Sequence, residues 1–480
     1  MKKIIVISLE ERGNLSKSIM KLRFYLTLWC SKIVIALMKA TGHAQDDRPG
    51  VLIYKLCPNF LDYVKKPKIT VAVTGTNGKT SVTSMIADVL RVQGHTVAYN
   101  DWGANLKAGH CMIMANSVNM FNRPKVDATV LEVDERTACE DMSKIQPDYF
   151  IVTNIGRDSM RRNGHPLYIR HCIQDTLDHL KESVVILNAD DPISGFLKTN
   201  TEPVYFAMDG EPDAGFKEPI IKDFTVCPVC HKQPEYLHRH YLHIGEVHCP
   251  HCGMKSPEPD FRGVELDREN SVLKVKEKGS DQIFEYDIAS TSIFNGFNFL
   301  SLIAYFRSRG VPYEELRSAL SQVRLPESRE LTSTVNGIEI HSSMCKGQTG
   351  GSASVVFEHL SKEKGNLELI MMMNEEYEDL NANETITWFY DTDFELLNQP
   401  NIKKILISGP VYADYKLRLQ MAGIPEEKVI CFEDDKKIID HVTFEGIDQI
   451  YILHEVNRVT EGRLLKEAIE EKLRRETNEN

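Results

Sequence analysis

The chain has no excess of basic charge. Its 480 residues carry 57 Lys and Arg against 69 Asp and Glu, a formal net charge of −12. A protein that grips nucleic acid through its backbone phosphates needs a dense basic surface, so that class is excluded as the main activity. A local anion site built from backbone N–H groups remains open. Long hydrophobic runs are also missing. The most apolar stretch, Phe24–Met38, is broken by Lys32 and falls short of the roughly 20 apolar residues needed to span a bilayer. Such a helix packs on its own domain or lies along a membrane surface. The first residues do not read as a secretory signal, because Glu10, Glu11 and Arg12 follow the opening apolar run with no small-residue cleavage site, and none is expected. Cysteine is sparse: 11 residues, seven of them scattered singly, which is no disulfide framework and implies a reducing, cytoplasmic compartment. Repeats and low-complexity segments are absent, and with 42% hydrophobic and 26% charged residues disorder is excluded as the main state.

What is present reads as alternating β and α signals. Ile69–Val73 is a short β-branched strand. Val82, Met85, Ile86, Val89 and Leu90 then recur at helical spacing until Gly94. Further buried strands are expected at Ala128–Val133, Tyr149–Thr153 and Val184–Leu187, weak alternation at 271–287, and a helix at Asn298–Arg309. After a polar turn at Leu325-Pro326-Glu327, strands are expected at Leu367–Met373, Lys404–Ser408, Val429–Phe432 and Gln449–Leu453. The expected fold is α/β. A helical segment (1–50) leads into a doubly wound, parallel-sheet P-loop domain (51–325), and a smaller Rossmann-like α/β domain (326–480) follows a hinge.

The strongest chemical signal is Gly75-Thr76-Asn77-Gly78-Lys79-Thr80, lying between the first strand and its helix. Glycines let the backbone approach phosphates, the helix N-terminus offers N–H groups, Lys79 adds a point charge, and Thr80 can give its hydroxyl to Mg²⁺. The spacing is two residues shorter than the usual Walker loop. Mg²⁺ also calls for a carboxylate, and Glu132 and Glu135 stand at the end of the strand at 128–133. A second cluster interrupts the pattern at 225–256. Cys227-Pro-Val-Cys230 and Cys249-Pro-His-Cys252 are two C-x₂-C knuckles 18 residues apart, the spacing of a closed, structural four-thiolate zinc site.

The motif G-T-N-G-K-T after a short strand resembles the ATP loop of the Mur ligase superfamily. Those enzymes activate a carboxylate as an acyl-phosphate for attack by an amine. Further segments match in order: Glu132 at the family's Mg²⁺ glutamate, Asn154-Ile155-Gly156-Arg157-Asp158, Asn188-Ala189-Asp190-Asp191, Asn295-Gly296-Phe297-Asn298, and Ser328-Arg329-Glu330. The resemblance implies that Asn188 lies by the nucleotide, Asn295 and Asn298 contact the adenine, and Arg329 reaches the phosphates. A four-Cys ribbon inserted before the N-x-x-N helix is similar to the MurT family, synthetase subunits of lipid II isoglutaminyl synthase. Asn100–Asn105 and Trp388-Phe389-Tyr390-Asp391-Thr392-Asp393-Phe394-Glu395 agree with that family. Membership implies a GatD-like glutaminase partner that supplies ammonia, a lipid-linked muropeptide as substrate, and peripheral contact with the membrane that holds it. It also implies that Asp391, with Asp393 second, completes the partner's Cys-His pair. Lys346 stands where the family has a K-N-P-x-G lysine, and it is expected to join Arg329 when the C-terminal domain closes. Two alternatives differ in kind: a stand-alone Mur-type peptide ligase, and a nucleotide-gated scaffold that binds through the ribbon.

Overall fold

A computed structural model describes residues 9–40, 48–99, 104–157, 164–210, 218–323, 330–345, 350–372, 387–455 and 458–478. By contact the chain divides into two units. One holds 1–155, 167–209 and 255–324; the other holds 156–166, 210–254 and 325–480.

The first unit starts with three helices, α1 (Leu9–Ala40), α2 (Arg48–Leu56) and α3 (Phe60–Tyr63). Then come β1 (Ile69–Thr74), α4 (Lys79–Val92), β2 (Val97–Ala98), α5 (Lys107–Ser117), β3 (Ala128–Glu132), α6 (Ala138–Ile145), β4 (Tyr149–Val152), α7 (Pro166–His179), β5 (Val184–Asn188) and β6 (Val204–Met208). The strands β7 (Glu235–Tyr236) and β8 (Val247–His248) belong to the cysteine ribbon. The first unit resumes with β9 (Phe261–Asp267), β10 (Val272–Glu277), β11 (Ile283–Asp287), α8 (Ile293–Ser308) and α9 (Tyr313–Leu320).

Among the described residues the first sheet has the order β11-β10-β9-β6-β5-β4-β1-β3-β2. It is parallel from β2 through to β9, and β9, β10 and β11 pair antiparallel. The central strands have helices over both faces and are therefore apolar almost throughout: in β1 and β3 all but Ile69 is buried. The outer meander alternates instead, with Leu273, Val275, Phe284 and Tyr286 turned inward between exposed or half-exposed neighbours. Helix α8 is apolar all round and is buried from Gly296 to Phe306. Each fully buried Phe, Leu or Ile there contributes about 2 kcal/mol of apolar transfer. After β1 the chain passes to β2 and β3 on one side and to β4 on the other. This is a topological switch point, and the crevice beyond the C-terminal end of β1 is where such sheets take ligands.

The second unit contains β12 (Glu330–Val335), β13 (Ile338–Met344), α10 (Gly350–Lys362), β14 (Leu367–Met372), α11 (Trp388–Asp391), β15 (Ile402–Ser408), α12 (Tyr412–Met421), β16 (Val429–Phe432), α13 (Ile438–His441), β17 (Gln449–His454) and α14 (Val459–Asn478). Its sheet runs β12-β13-β17-β14-β15-β16, parallel except for the β12–β13 hairpin. One face packs on Phe357, Phe394 and Tyr415, the other on Ile340, Ile370, Ile452 and Ile469. The Leu325-Pro326-Glu327 turn lies outside the described residues.

The ribbon groups with this second unit. Ile220 donates its N–H to Asp393 at 2.7 Å, and Arg157 bridges Asp223 and Asp391 at 3.3 Å each. The two knuckles are built alike. His231 N–H bonds Cys227 O and Gly253 N–H bonds Cys249 O, at 3.0 and 2.9 Å. The residue after each second cysteine is left-handed: His231 at φ 60° and Gly253 at φ 77°. Antiparallel pairing of β7 with β8 holds the knuckles together.

Candidate functional site

The glycine loop lies at the switch point, and its own neighbours brace it. Thr76 N–H bonds Asn154 O at 2.8 Å, and Asn77 N–H bonds Asn154 Oδ1 at 3.1 Å. In return Asn77 O accepts from Asn154 Nδ2 at 3.0 Å and from Thr153 Oγ1 at 2.6 Å. The side chains just past β4 thus fix the loop from one side. Gly75 has φ +130°, and a Cβ there would meet Thr153 Oγ1 at 2.2 Å. Gly78, at φ +89°, precedes α4 and provides no side-chain cap to the helix's first turn. A Cβ on Gly78 would lie 2.2 Å from Asn298 Oδ1. Both glycines are therefore required by conformation and by close approach.

Lys79 is the first residue of α4. Its Nζ donates to Glu135 Oε1 at 2.6 Å and also to Gly75 O. Burial pushes the Glu135 carboxyl above the usual carboxylate range, against the pull of Lys79. Glu132 ends β3 and is 4% exposed, and its Oε2 has no hydrogen-bond partner among the described residues. A buried carboxylate oxygen left unpaired is costly unless a cation comes to it. The two candidate carboxylates are thus separated by geometry: Glu135 is bound to Lys79, while Glu132 keeps a free acceptor.

Behind Glu132 stands a pair the sequence did not suggest. His110 and Asp141 are fully buried, with Nδ1 2.7 Å from Asp141 Oδ2. The other ring nitrogen, Nε2, lies 2.9 Å from the carbonyl oxygen of Glu132. A carbonyl only accepts, so Nε2 is the donor to Glu132 O, and Nδ1 faces the Asp141 carboxyl. The ring ties α5 and α6 to the last residue of β3 and fixes the backbone from which Glu132 projects. The two residues are 31 apart in sequence and belong to no short motif.

The other expected nucleotide residues have partners within their own unit. Asn188 donates to Thr153 O at 3.2 Å and accepts Asp190 N–H at 3.0 Å. Asp191 accepts Ile155 N–H at 2.6 Å and Ile193 N–H at 2.9 Å, which ties the end of β4 to the turn after β5. Asn295 and Asn298 lie in the first turns of α8, Asn298 Nδ2 donating to Asn295 Oδ1 at 3.3 Å. Ser292 caps that helix by accepting Asn295 N–H, so the helix begins at Ile293 rather than at Asn298. Thr80 follows Lys79 in the first turn of α4. Arg329, Lys346 and Asn100–Gly103 lie outside the described residues.

The sulfurs of Cys227, Cys230, Cys249 and Cys252 converge to within 4.8 Å of one another. Cys227 to Cys252 is 3.6 Å and Cys230 to Cys249 is 3.5 Å. A disulfide needs about 2.05 Å, whereas a tetrahedron with metal–sulfur bonds of about 2.3 Å has edges of about 3.8 Å. The set can therefore hold one tetrahedral metal ion and leaves no open position for substrate.

Asp391 closes α11. Its Oδ2 pairs with Arg157 Nη1, and its side chain keeps 15% of its area exposed. Asp393 is more enclosed, taking Ile220 N–H on its carboxylate and giving its own N–H to Ser354 Oγ at 2.9 Å. The Arg157–Asp223 ion pair is a further feature that no sequence spacing announced.

A prediction follows from the contact between loop and helix. Gly78→Ala forces the left-handed conformation on a residue with a Cβ, at about 1–2 kcal/mol, and drives that Cβ into Asn298. The thermal midpoint should fall and nucleotide binding should weaken. Adding Asn298→Ala should restore part of the midpoint, because it removes the clash and leaves the backbone strain. An unchanged midpoint in Gly78→Ala would contradict the packing described.

Comparison with known proteins gives the class first. The Mur ligase middle domain family matches residues 73–217 and the MurT ligase C-terminal family matches residues 351–457. Two solved structures share the fold. One is a pseudomurein peptide ligase type C from Methanothermus fervidus (TM-score 0.64, 19% identity, covering 88% of this chain and 83% of that one). The other is the MurF ligase from Thermotoga maritima in complex with ADP (TM-score 0.59, 14% identity, 89% and 85%). The chain is a Mur-type, ATP-dependent ligase with a Mur ligase-like α/β fold. Within that class it is MurT-like. The MurT subunit of the glutamine-hydrolysing lipid II isoglutaminyl synthase of Staphylococcus aureus is 25% identical over 453 residues, covering 92% of this chain and 99% of that protein. The MurT subunit of Streptococcus pneumoniae is 26% identical over 421 residues, with 87% and 91% covered.

Proposed function

We propose that this chain is the synthetase subunit of a lipid II isoglutaminyl synthase. ATP phosphorylates the α-carboxylate of D-glutamate in the lipid II stem peptide. The carboxylate oxygen attacks the γ-phosphorus and ADP leaves. Ammonia from a GatD-like glutaminase attacks the acyl carbon, phosphate departs, and D-isoglutamine remains. One observation carries the reading: the glycine loop at the switch point, with Lys79 beside it and an unpaired, buried Glu132 oxygen at the end of the neighbouring strand. The MurT relatives, which cover 92% and 87% of the chain, support the choice of acceptor.

In this reading Lys79 neutralises charge on the transferred phosphoryl group. Thr80 and Glu132 hold Mg²⁺, which supplies further charge neutralisation to the phosphates. His110 holds the Glu132 backbone in place. Gly75, Thr76, Asn77 and Gly78 form the phosphate cradle, Asn188 stiffens its wall, Asn295 and Asn298 meet the adenine, and Arg329 contacts the phosphates. Cys227, Cys230, Cys249 and Cys252 bind a structural Zn²⁺. Asp391, oriented by Arg157, serves the glutaminase's histidine, while the more enclosed Asp393 braces the ribbon.

The test is ADP release by the purified chain with its glutaminase. Turnover should require both a muropeptide bearing a free α-carboxylate and a source of ammonia. Release driven by an amino acid without any glutaminase would replace this reading with the stand-alone peptide ligase.

A further inference from the structure

The first unit presents an apolar face that the ligase reading does not use. Helix α1 buries one side against its own domain, through Phe24, Thr27, Leu28, Ser31 and Ile35. The opposite side is apolar as well. Ile19, Leu22, Leu26, Trp29, Ile33 and Leu37 recur at intervals of three and four, and each is 39% to 61% exposed. At 1.5 Å per residue this stripe runs for about 27 Å. It continues onto a neighbouring turn: Trp29 Nε1 donates to Met120 O at 2.9 Å, and the adjoining Phe121 is 74% exposed. A contiguous exposed patch of this kind marks an interaction surface.

The charge around the patch identifies its occupant. The whole chain carries −12, yet from Lys17 to Ala40 there are five basic residues and no acidic one. Of these, Lys32 donates to Ala115 O and Val118 O and Arg23 to Leu56 O, while Lys17 and Lys21 are exposed. Lys21 is exposed beside the stripe, and Arg123 and Lys125 are exposed on the turn that carries Phe121. Lys65, also exposed, is tied to the same turn by its N–H bond to Asn122 Oδ1 at 3.0 Å. No helix among the described residues is long and apolar enough to cross a membrane. An apolar stripe with a Trp and a basic rim, on a helix that does not span, has the chemistry of an interfacial element that lies in the headgroup region of anionic lipid.

We infer that the outer face of α1, together with the Met120–Phe121 turn, docks this protein on an anionic bilayer surface. The inference deepens the ligase reading, whose substrate is lipid-linked, but it uses no residue of the glycine loop or the ribbon, so vesicle binding and ligase turnover can fail separately.

The test is cosedimentation of the full chain with vesicles of phosphatidylcholine alone or mixed with phosphatidylglycerol. Binding to the mixed vesicles is expected, weaker binding to the neutral ones, and loss of binding as salt rises. Trp29→Phe should remove most of any blue shift in tryptophan emission on binding. The double variant Leu26→Asp with Ile33→Asp should bind about tenfold more weakly or worse. Its thermal midpoint should be unchanged, because both side chains already face solvent. If it unfolds instead, Lys21→Gln with Arg123→Gln provides the second measure, and the preference for anionic vesicles should shrink. Failure of the wild-type chain to sediment with either vesicle overturns the inference. So does a dimer that the Asp variant dissolves while vesicle binding is unaffected, which would make the face a contact between copies.

Discussion

Lys79→Ala should lower ATP turnover by roughly two to three orders of magnitude, the usual cost of removing one preorganised charge from an acyl- or phosphoryl-transfer site. Stability should fall too, for a separate reason. Lys79 is the ion-pair partner of Glu135 at 2.6 Å, with side-chain exposures of 14% and 4%. Removing the lysine leaves Glu135 buried without its partner, which in comparable pairs costs about 3–5 kcal/mol. Burial already pushes the Glu135 carboxyl upward, so in the variant it takes a proton more readily. The two effects separate in the double variant. Lys79→Ala with Glu135→Gln should recover much of the thermal midpoint and none of the turnover. ADP release and a melting curve on the three proteins decide the matter. Turnover recovered along with stability would mean that Lys79 serves the fold and not the phosphates.

Cys227→Ser should remove the metal and loosen the second unit. A closed four-thiolate site is folding free energy, about 10–16 kcal/mol in isolated zinc-binding peptides. The ribbon's regular sheet is small, since β7 and β8 pair over only two residues each. The loss should spread to the ribbon's neighbours. Asp393 loses the Ile220 N–H, and the Arg157 bridge from Asp223 to Asp391 loses its fixed position. Zinc stoichiometry by mass spectrometry should fall from one per chain to near zero, and the 210–254 stretch should become sensitive to protease. A strong chelator should do the same to the wild-type protein. Full zinc occupancy in the variant would contradict the assignment of the four sulfurs to one ion.

The parts of this fold that could be read in advance are those where burial is complete or a motif is local. The strands β1, β3, β4 and β5 are covered on both faces, so their sequences are mostly apolar runs bounded by turns, and they lie where the runs lie. The glycine loop and the cysteine knuckles are compact motifs whose residue types are dictated by local geometry. Half-buried strands carry a weaker signal. β6 has only three buried residues and β9 mixes buried with exposed positions, so neither yields a clean period. The start of α8 was misplaced because Ile293-Phe294-Asn295-Gly296 is a poor helix-forming run that a Ser292 cap and burial hold in place. Pairings between distant residues were out of reach. His110 with Asp141, Arg157 with Asp223, and the grouping of the ribbon with the C-terminal sheet depend on tertiary contacts that no spacing encodes.

The central claim is that the carboxylate activated at the glycine loop is amidated. It is tested most directly by mass spectrometry of a lipid-linked muropeptide after incubation with this chain, the proposed glutaminase partner, glutamine, ATP and Mg²⁺. Replacement of one hydroxyl by an amino group on the D-glutamate α-carboxyl, a loss of about one mass unit, is the expected product. A gain of a whole amino-acid residue, or ATP consumed with the muropeptide unchanged, would contradict it.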